Sequence, residues 1–383
     1  MSGNAPIVHL YFSPMEHESR LLRAAKAAVQ EGLAGSAIGI GYQEGGRASK
    51  ETVAQGVIYK RLVPARWTSG GGKIRRLFRW PLWTYSAVKE TIGCRPSIVQ
   101  AHSLAALPAA VLSARLSGNV GLIYDAHELE SERTGWSKVM RGLARTVERF
   151  LMRFTDETLV VSETIADWYA DTYKIRRPHL VRNMPDAPTK GRSTEVNIRA
   201  VMGLPEDVII FVYLGRLGAG RGILTLTEAF RRIRPGRHLV FMGNGPMEEW
   251  LRDIAAKVDN IHVLPPVASE EVIHFISSAD VGLSIVEDVS LSYRYCLPNK
   301  LFEARIAGLP VIVSDLPEMA NFIRKYGGGW IVRQDADDVA TLVNRLDKAE
   351  ISKTSTESLD IPRWQDDRSL YLGLLANLLG ARR

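Results

Sequence analysis

Short apolar runs, typical of buried strands, alternate along this chain with segments whose apolar residues recur at helical spacing. In the first half the apolar runs predict six strands, at 6–12, 37–42, 56–63, 97–102, 120–128 and 157–163. The periodic segments predict four helices, at 18–33, 106–118, 137–154 and 164–173. Ser162 or Thr164 is expected to cap the last of these helices.

The same alternation continues in the second half of the chain. Predicted strands lie at 208–215, 238–243, 261–266, 281–286 and 327–332. Predicted helices lie at 223–233, 246–258, 270–279 and 335–346. The stretch at 297–315, LPNKLFEARIAGLPVIVSD, is typical of a short helix followed by an apolar strand.

Strands that alternate with helices predict an α/β fold, in which parallel sheets are covered by helices on both faces. Because 383 residues exceed the usual size of one core, we expect two doubly wound, Rossmann-like domains. The predicted boundaries are an N-terminal domain at 1–185, a polar linker at 186–200 and a C-terminal domain at 201–360. A C-terminal helix at 361–383 is expected to pack back on the N-terminal domain. Ligands of such sheets bind beyond the carboxyl ends of the strands, so the cleft between the domains is the expected site.

The bulk composition excludes several classes of protein. With 46% hydrophobic and 24% charged residues, the chain resembles an ordinary globular protein, and no uncharged apolar run is long enough to predict a membrane span. The N-terminal segment lacks the features of a secretory signal. The only two cysteines, Cys94 and Cys296, are far apart, which favours a reducing cytoplasm.

Positive charge is concentrated in the first half of the chain. Residues 1–190 carry 26 Lys and Arg against 17 Asp and Glu, and residues 51–100 alone carry nine against two. This imbalance predicts an anionic partner or surface. Nucleic acid is not the expected partner, because no zinc-finger, RNP or basic-zipper signature is present.

Two basic segments also carry apolar residues. Residues 73–85, KIRRLFRWPLWTY, interleave four basic residues with aromatic ones, and residues 138–153 form a basic amphipathic pattern. Such clusters favour contact with an anionic membrane surface. The alternative is two ordinary helices with solvated arginines and aromatic residues in the core.

A loop rich in glycine and arginine follows the apolar strand at 208–215. Gly215, Gly218, Gly220 and Gly222 permit close backbone approach to an anion, and Arg216 and Arg221 suit a diphosphate; the alternative is a solvated turn. This loop lacks the spacing of a dinucleotide fingerprint, and the glycines at 69–73 do not form a P-loop.

A second glycine loop, MGNGP at 242–246, also ends a strand and opens a helix. In the stretch at 297–315, Pro298 suits the first helical position and Gly308 the C-terminal cap. Asn299 and Lys300 would then lie in the first turn, where a lysine opposes the helix dipole unless a phosphate binds there. Glu303 could accept hydrogen bonds from a ribose. Each residue alone is typical of a surface, but the three together favour a nucleotide.

These motifs resemble the retaining glycosyltransferases of family 4, which have the two-domain GT-B fold. The resemblance covers most of the chain, and the segments that carry it are YLGRLGAGRG, FMGNGP, LPNKLFEARIAGLPVIVSD, QAHSLAALPAA, YDAHELESE, VVSETIADWY and VRNMPD.

The resemblance implies roles for individual residues. Arg216 and Arg221 correspond to the family's Arg and Lys that hold the donor pyrophosphate, and His102 corresponds to a position that contacts the transferred sugar; these three are the expected catalytic residues. The expected donor-binding residues are Gly215, Gly243, Asn244, Gly245, Pro298, Asn299, Lys300 and Glu303. Asp125, His127 and Glu128 would line the acceptor side.

The chain departs from the family pattern in two places. The first Glu of the family's Glu-x7-Glu motif is replaced by Tyr295, and the candidate substitutes for that Glu are Glu287 and Asp288. The family's glycine-rich loop after the first strand is replaced by SPMEHESR.

The resemblance implies transfer of a sugar from a nucleotide-sugar donor to a glycan or lipid-linked acceptor of the bacterial envelope or exopolysaccharide, with retention. It implies no cofactor and no metal. The expected location is cytoplasmic, peripheral on the inner face of the plasma membrane. Two alternatives remain at this stage, a nucleotide-sugar 2-epimerase of the same architecture and an inactive glycan-binding protein.

Overall fold

The computed structural model describes residues 5–16, 18–44, 46–62, 73–185, 197–356 and 361–382; the side chains of 73–77 and 356 lie outside that description. The chain divides into two compact units. Unit 1 comprises Met1–Asn183 with Trp364–Arg383, and unit 2 comprises Met184–Arg363. Of the predicted linker, residues 186–196 lie outside the described part.

Unit 1 is built on an eight-stranded sheet with the order β3-β4-β2-β1-β5-β6-β7-β8. Its strands are β1 Ile7–Tyr11, β2 Ala37–Tyr42, β3 Lys50–Ala54, β4 Val57–Leu62, β5 Ile98–His102, β6 Gly121–Ala126, β7 Glu157–Val160 and β8 His179–Leu180. All pairs are parallel except β3 with β4. The sequence pattern missed β3, because this edge strand is largely exposed and carries no apolar run.

In the described part of unit 1, five helices precede residue 184. They are α1 Ser19–Gln30, α2 Lys73–Cys94, α3 Leu107–Ser117, α4 Lys138–Leu151 and α5 Glu163–Tyr173. Ser162, the first of the two residues expected to cap α5, accepts a hydrogen bond from the backbone N–H of Ile165. In the same way Ser137 caps α4.

A buried carboxyl group fixes the orientation of α4. Glu148 lies fully buried and accepts hydrogen bonds from the hydroxyls of Tyr124 at 2.6 Å, Tyr169 at 2.5 Å and Tyr173 at 2.7 Å. Burial raises the pKa of Glu148, although these hydrogen bonds oppose the shift. Because Glu148 faces inward, the apolar residues on the other side of the helix face solvent.

Unit 2 is built on a six-stranded parallel sheet with the order β11-β10-β9-β12-β13-β14. Its strands are β9 Ile209–Leu214, β10 Arg237–Met242, β11 Ile261–Leu264, β12 Val281–Ser284, β13 Val311–Ser314 and β14 Gly329–Val332. The strand order reverses between β9 and β12, the position at which doubly wound sheets form a ligand crevice.

The helices of unit 2 are short. They are α6 Ile198–Met202, α7 Ile223–Phe230, α8 Glu248–Ala255, α9 Val272–Ile276, α10 Leu291–Arg294, α11 Asn299–Ile306, α12 Pro317–Tyr326, α13 Ala336–Arg345 and α14 Lys348–Thr356. Helix α8 begins two residues after Pro246, where the sequence pattern had placed its start. Pro298 is the N-cap of α11 rather than its first residue.

Both faces of the unit 2 sheet are buried. Along β9, Ile210, Val212 and Leu214 pack into one apolar cluster, while Phe211 and Tyr213 pack into a second. Successive side chains of a strand point to opposite faces, so a strand buried on both faces has a continuous apolar run. This explains why the strands of this unit were predicted close to their observed positions.

The last helix, α15 Trp364–Gly380, belongs to unit 1. The hydroxyl of Tyr371 donates to the side-chain oxygen of Gln100 on β5 at 2.8 Å, and Asp367 forms an ion pair with Arg182 at 3.0 Å. Within the described residues, no helix combines the length and the apolarity that crossing a membrane requires.

Candidate active site

Two glycine loops lie side by side at the carboxyl ends of β9 and β10. The backbone N–H of Leu217 donates to the carbonyl of Asn244 at 2.8 Å, and that of Met247 donates to the carbonyl of Leu217 at 3.1 Å. A β-carbon on Gly243 would lie 1.9 Å from the carbonyl oxygen of Gly215, so only glycine fits there. The structure therefore brings together the predicted donor-binding loops at 215–222 and 242–246.

Helices α7 and α11 begin at this edge, and neither has a capping side chain among the described residues. Helix α7 follows Gly222, whose φ is +72°, and α11 follows Pro298. Their first N–H groups are therefore available to an anion, and both helix dipoles place their positive ends at these termini. Asn299 is the first residue of α11 and is half-buried.

Lys300 is the most unusual residue of this site. Its side chain is buried, its Nζ lies 3.7 Å from the centre of the Tyr213 ring, and no described group forms a hydrogen bond with that Nζ. Burial, and then the charge of Arg221, lower the pKa of Lys300 well below its ordinary value. A buried ammonium without an anionic partner is costly, so this lysine favours an anion at the site.

The two predicted arginines belong to the same cluster. Arg216 is exposed, and its carbonyl accepts a hydrogen bond from the Tyr213 hydroxyl at 3.1 Å. The Arg221 guanidinium lies 5.6 Å from the centre of the Tyr293 ring. The backbone of Arg216 and the Nζ of Lys300 thus contact Tyr213, and the charge of Arg221 acts on the Tyr213 hydroxyl by lowering its pKa against the effect of burial. The sequence analysis did not select Tyr213.

The acidic candidates differ in their surroundings. Glu303 is half-buried and close enough to Lys300 to influence its pKa. Of the two suggested substitutes for the missing first Glu of the family motif, Asp288 is engaged by Arg294 at 2.6 Å. Glu287 is joined to the arginine loop through its backbone N–H, which donates to the carbonyl of Gly220 at 2.9 Å. Tyr295 follows helix α10 and is half-buried.

A second group of predicted residues lies in unit 1, at the carboxyl ends of β5 and β6. Nε2 of the fully buried His102 lies 3.0 Å from Nδ1 of His9, and its Nδ1 lies 3.0 Å from Nε2 of His127. Burial lowers the pKa of His102 to about 4 and also lowers that of His9, so both rings are neutral at pH 7. The three histidines form a row from the buried His9 through His102 to the half-buried His127.

Asp125 is the charged centre of this group. It forms an ion pair with Arg20 at 2.5 Å, and its Oδ2 also accepts from Gln100 at 3.1 Å and lies 3.3 Å from His102 Nδ1. Burial alone would raise the pKa of Asp125, but Arg20 and the hydrogen bonds from His102 and His127 lower it well below its ordinary value. Asp125 is thus an ionised carboxylate with its own buried counter-ion.

His102, Asp125 and His127 bring their ligand atoms close enough together to be considered as a metal site. However, Asp125 Oδ2 already accepts from the Arg20 Nε at 3.0 Å and from Gln100, and the Arg20 charge would oppose a cation. Protons on the rings suffice to link the three residues. The described contacts of these residues are those of a hydrogen-bonded row, and the Arg20 charge disfavours a cation beside Asp125.

Glu128 lies on the loop after β6, where it forms an ion pair with Arg133 at 2.8 Å. Glu130 lies two residues further along the chain, and the sequence analysis did not select it. Glu130 is fully buried, accepts from the backbone N–H of Leu104 at 3.1 Å, and has its pKa raised by burial to about 8, against the charge of Arg133. No sequence signal marked this residue, because its burial depends on how the loop folds back.

The buried histidines predict a loss of stability in mild acid. The unfolded chain takes up a proton on His102 near pH 6.5, whereas the folded chain does so only near pH 4, so stability is lost as pH falls through this window. We expect His102 alone to lower the free energy of unfolding by about 2 kcal/mol between pH 7 and pH 5. Urea unfolding of the full chain at both pH values measures this.

The matched variant for this measurement is His102→Gln, which cannot titrate. It should show a smaller difference between the two pH values than the unmodified chain. An equal difference in both proteins would contradict the assignment of the acid sensitivity to His102.

Comparison with known proteins agrees with this architecture. The family profile described as "Glycosyl transferases group 1" matches residues 208–348, and that described as "Glycosyltransferase Family 4" matches residues 36–186. The putative teichuronic acid biosynthesis glycosyltransferase TuaC of Bacillus subtilis is 28% identical over 160 residues, which is 42% of this chain and 38% of TuaC. The match thus spans less than half the length of this relative.

Solved structures show the same fold. Sucrose-phosphate synthase from Thermosynechococcus elongatus superposes with a TM-score of 0.80 at 16% identity, covering 99% of this chain and all of that one. Anabaena HepE in complex with UDP-glucose superposes with a TM-score of 0.70 at 12% identity, covering 98% and 99%.

Two doubly wound units that match such structures define a protein of the GT-B class, as the sequence analysis predicted. With both family profiles matched, one in each half, the chain belongs to the group 1 glycosyltransferases.

Proposed function

We propose that this protein transfers a sugar from a nucleoside-diphosphate sugar to a glycan or lipid-linked acceptor of the bacterial envelope or exopolysaccharide, with retention. The observation that carries the proposal is the cationic site of unit 2. There Arg216, Arg221 and the buried Lys300, whose Nζ has no hydrogen-bond partner among the described residues, lie beside two glycine loops and two helix N-termini. Such a site suits the two phosphates of a nucleotide donor.

The proposed chemistry follows from the charge of the leaving group. As the bond from the anomeric carbon to the diphosphate oxygen breaks, negative charge develops on the diphosphate, and Arg216, Arg221 and the helix ends stabilise it. The acceptor hydroxyl forms the new bond on the face from which the nucleotide leaves, and its proton passes to the departing phosphate. His102 would contact the transferred sugar, and Asp125, His127 and Glu128 would line the acceptor side.

Two of the relatives support the donor and acceptor classes. HepE is described in complex with UDP-glucose, and TuaC is named for teichuronic acid biosynthesis. By analogy we propose a sugar nucleotide as the donor and an envelope glycan as the acceptor. We also propose a cytoplasmic location at the inner face of the plasma membrane, where lipid-linked glycan precursors are assembled, with no cofactor and no metal required.

Calorimetric binding of UDP, GDP, ADP, dTDP and CMP, each with and without magnesium, tests the proposal. We expect one diphosphate to bind selectively, with the same affinity in EDTA as in magnesium, and binding to be lost in a chain that carries both Arg216→Ala and Glu303→Ala. No binding by any nucleotide would overturn the donor site. Binding only with magnesium would overturn the metal-free assignment.

Tyr295 favours one competing candidate, an inactive protein that binds glycans, because it replaces an acidic residue of the family motif. A 2-epimerase of the same architecture is the other candidate. Product analysis of the nucleotide sugar incubated without acceptor separates the three. An epimerised sugar indicates the isomerase, whereas turnover only when an acceptor is added indicates the transferase.

A further inference from the structure

Unit 1 exposes an unusual amount of apolar surface on three helices. Of the sixteen large hydrophobic residues that are exposed in the described part of the chain, eleven lie on α2, α3 and α4. They are Phe78, Trp80, Leu82, Tyr85, Leu112, Leu116, Val139, Met140, Leu143, Val147 and Phe150. Scattered apolar residues need no explanation, but such a concentration marks an interaction surface.

Helix α4 shows the pattern most clearly. Val139, Leu143, Val147 and Phe150 recur at helical spacing and lie on one side; Val139 is 80% exposed and Leu143 58%. The opposite side holds the buried Glu148 in its cage of three tyrosine hydroxyls. A rotation of the helix that buried its apolar stripe would therefore expose Glu148 and break its hydrogen bonds to the three tyrosine hydroxyls.

The neighbouring helices extend the stripe into a surface. Helix α2 packs against α3, and α3 packs against α4. On α3, Leu112 and Leu116 are one turn apart, and on α2, Phe78, Leu82 and Tyr85 have the same relation. We call the exposed apolar residues of α2, α3 and α4 the three-helix face.

The net charge of these three helices is positive. They carry ten Lys and Arg but only two acidic residues, Glu90 and Glu148. Glu90 forms an ion pair with Lys60, and Glu148 is buried, so neither offsets the exposed basic side chains of α4. Arg79 and Arg145 have ion-pair partners outside these helices, Glu44 and Glu132. On α4, the exposed Lys138 and Arg149 flank the apolar stripe.

The three-helix face also adjoins the carboxyl edge of the unit 1 sheet. The Arg79 guanidinium of α2 lies 4.4 Å from the centre of the Tyr42 ring at the end of β2. The indole of Trp80 donates to the carbonyl of Ala105, just after β5, at 2.9 Å. The loop that carries His127 and Glu128 leads directly into α4. A surface in contact with the three-helix face would thus lie next to the predicted acceptor side.

We propose that the three-helix face binds the surface of a bilayer that contains anionic phospholipid. Apolar side chains in helices that lie flat would enter the boundary between headgroups and acyl chains, while the basic residues would meet the lipid phosphates. A second copy of this chain is the less suitable occupant, because the positive charge of these helices would repel an identical face. This proposal deepens the proposed function and rests on it, because it assumes the lipid-linked acceptor proposed there.

Flotation of the full chain with vesicles of phosphatidylcholine, with or without 30% phosphatidylglycerol, tests this. We expect at least tenfold more protein bound to the anionic vesicles, and at least tenfold loss of that binding in Val139→Ser/Leu143→Ser/Phe150→Ser. The matched control is Val201→Ser/Leu224→Ser/Leu370→Ser, which removes exposed apolar residues elsewhere and should bind as the unmodified chain does. The charge variant Lys138→Gln/Arg149→Gln should also bind the anionic vesicles less than the unmodified chain does.

Several outcomes would overturn the inference. The first is equal binding to both vesicle types, and the second is an equal loss of binding in the control variant. The third is that the unmodified chain is a dimer by light scattering, the α4 variant is a monomer, and neither protein binds vesicles. Nucleotide calorimetry on the α4 variant separates this inference from the proposed function. Unchanged nucleotide binding with lost flotation supports the three-helix face alone, whereas normal flotation of a chain that binds no nucleotide supports this face and refutes the donor site.

Discussion

Replacement of Arg216 by alanine is expected to lower kcat by about 10²- to 10³-fold, the usual cost of removing one group that stabilises charge developing in a transition state. Arg216 is exposed, so the folded chain does not depend on it, and its guanidinium is free to meet the leaving diphosphate. The loss should fall mainly on kcat, because the negative charge grows as the bond breaks. Steady-state rates with the nucleotide sugar that binding identifies measure the effect.

Two variants make this result specific. Arg231→Ala removes an exposed arginine just after α7, which lies outside the donor cluster, and should leave kcat unchanged. Arg221→Lys should retain most of the activity, since the resemblance gives a lysine at that position. Near-normal turnover of Arg216→Ala would refute its role, and an equal loss in Arg231→Ala would attribute the effect to the overall charge.

The strands were predictable because burial on both faces produces a continuous apolar run. Strand β2 was predicted with its observed bounds, 37–42, and β5 within one residue. The edge strand β3 has no such run, since one edge and much of its surface are exposed. Helix α10 has only four residues, too few for a helical period to be recognised, and α14, KAEISKTST, has too few apolar residues to show one.

The glycine loops of the site were predictable because backbone constraints are local. Gly215 and Gly243 follow adjacent strands, and their close approach is a consequence of the parallel pairing of β9 with β10. The partners of charged residues were not predictable. Arg20 and Asp125 are 105 residues apart in the chain, and no spacing in the sequence reveals that they neutralise each other.

The buried charges of the two units differ in a way that bears on function. In unit 1, Asp125 has its counter-ion Arg20 within the fold, so folding alone satisfies it. In unit 2, Lys300 is buried beside a second cation, Arg221, and none of the described groups accepts a hydrogen bond from its Nζ. A charge that the fold leaves unsatisfied is stable only if something else compensates it. We propose a bound anion as this compensation, since without one the lowered pKa of Lys300 favours its neutral form.

Replacement of Lys300 by methionine therefore should have opposite effects on stability and on binding. Methionine keeps a similar apolar stem and removes the unpaired ammonium, so we expect the free energy of unfolding of the free protein to rise by about 1–3 kcal/mol. The affinity for the nucleoside diphosphate should fall at least tenfold, since a charge-assisted contact to phosphate is lost. Urea unfolding without ligand and calorimetric titration of the same preparation measure the two effects.

Lys325→Met provides the comparison, because Lys325 is an exposed lysine on α12 and should change neither quantity. A structural role for Lys300 predicts the reverse of our expectation, a less stable protein that binds the nucleotide normally.

Diphosphate binding should also change the protonation of Lys300. Because the pKa of Lys300 is lowered, this lysine loses its proton more readily than an ordinary lysine. Binding of the diphosphate should raise that pKa, so the protein should take up protons from the buffer. Titrations in buffers of different ionisation enthalpy would detect that uptake, and Lys300→Met should abolish it if this ammonium is the group that meets the phosphate.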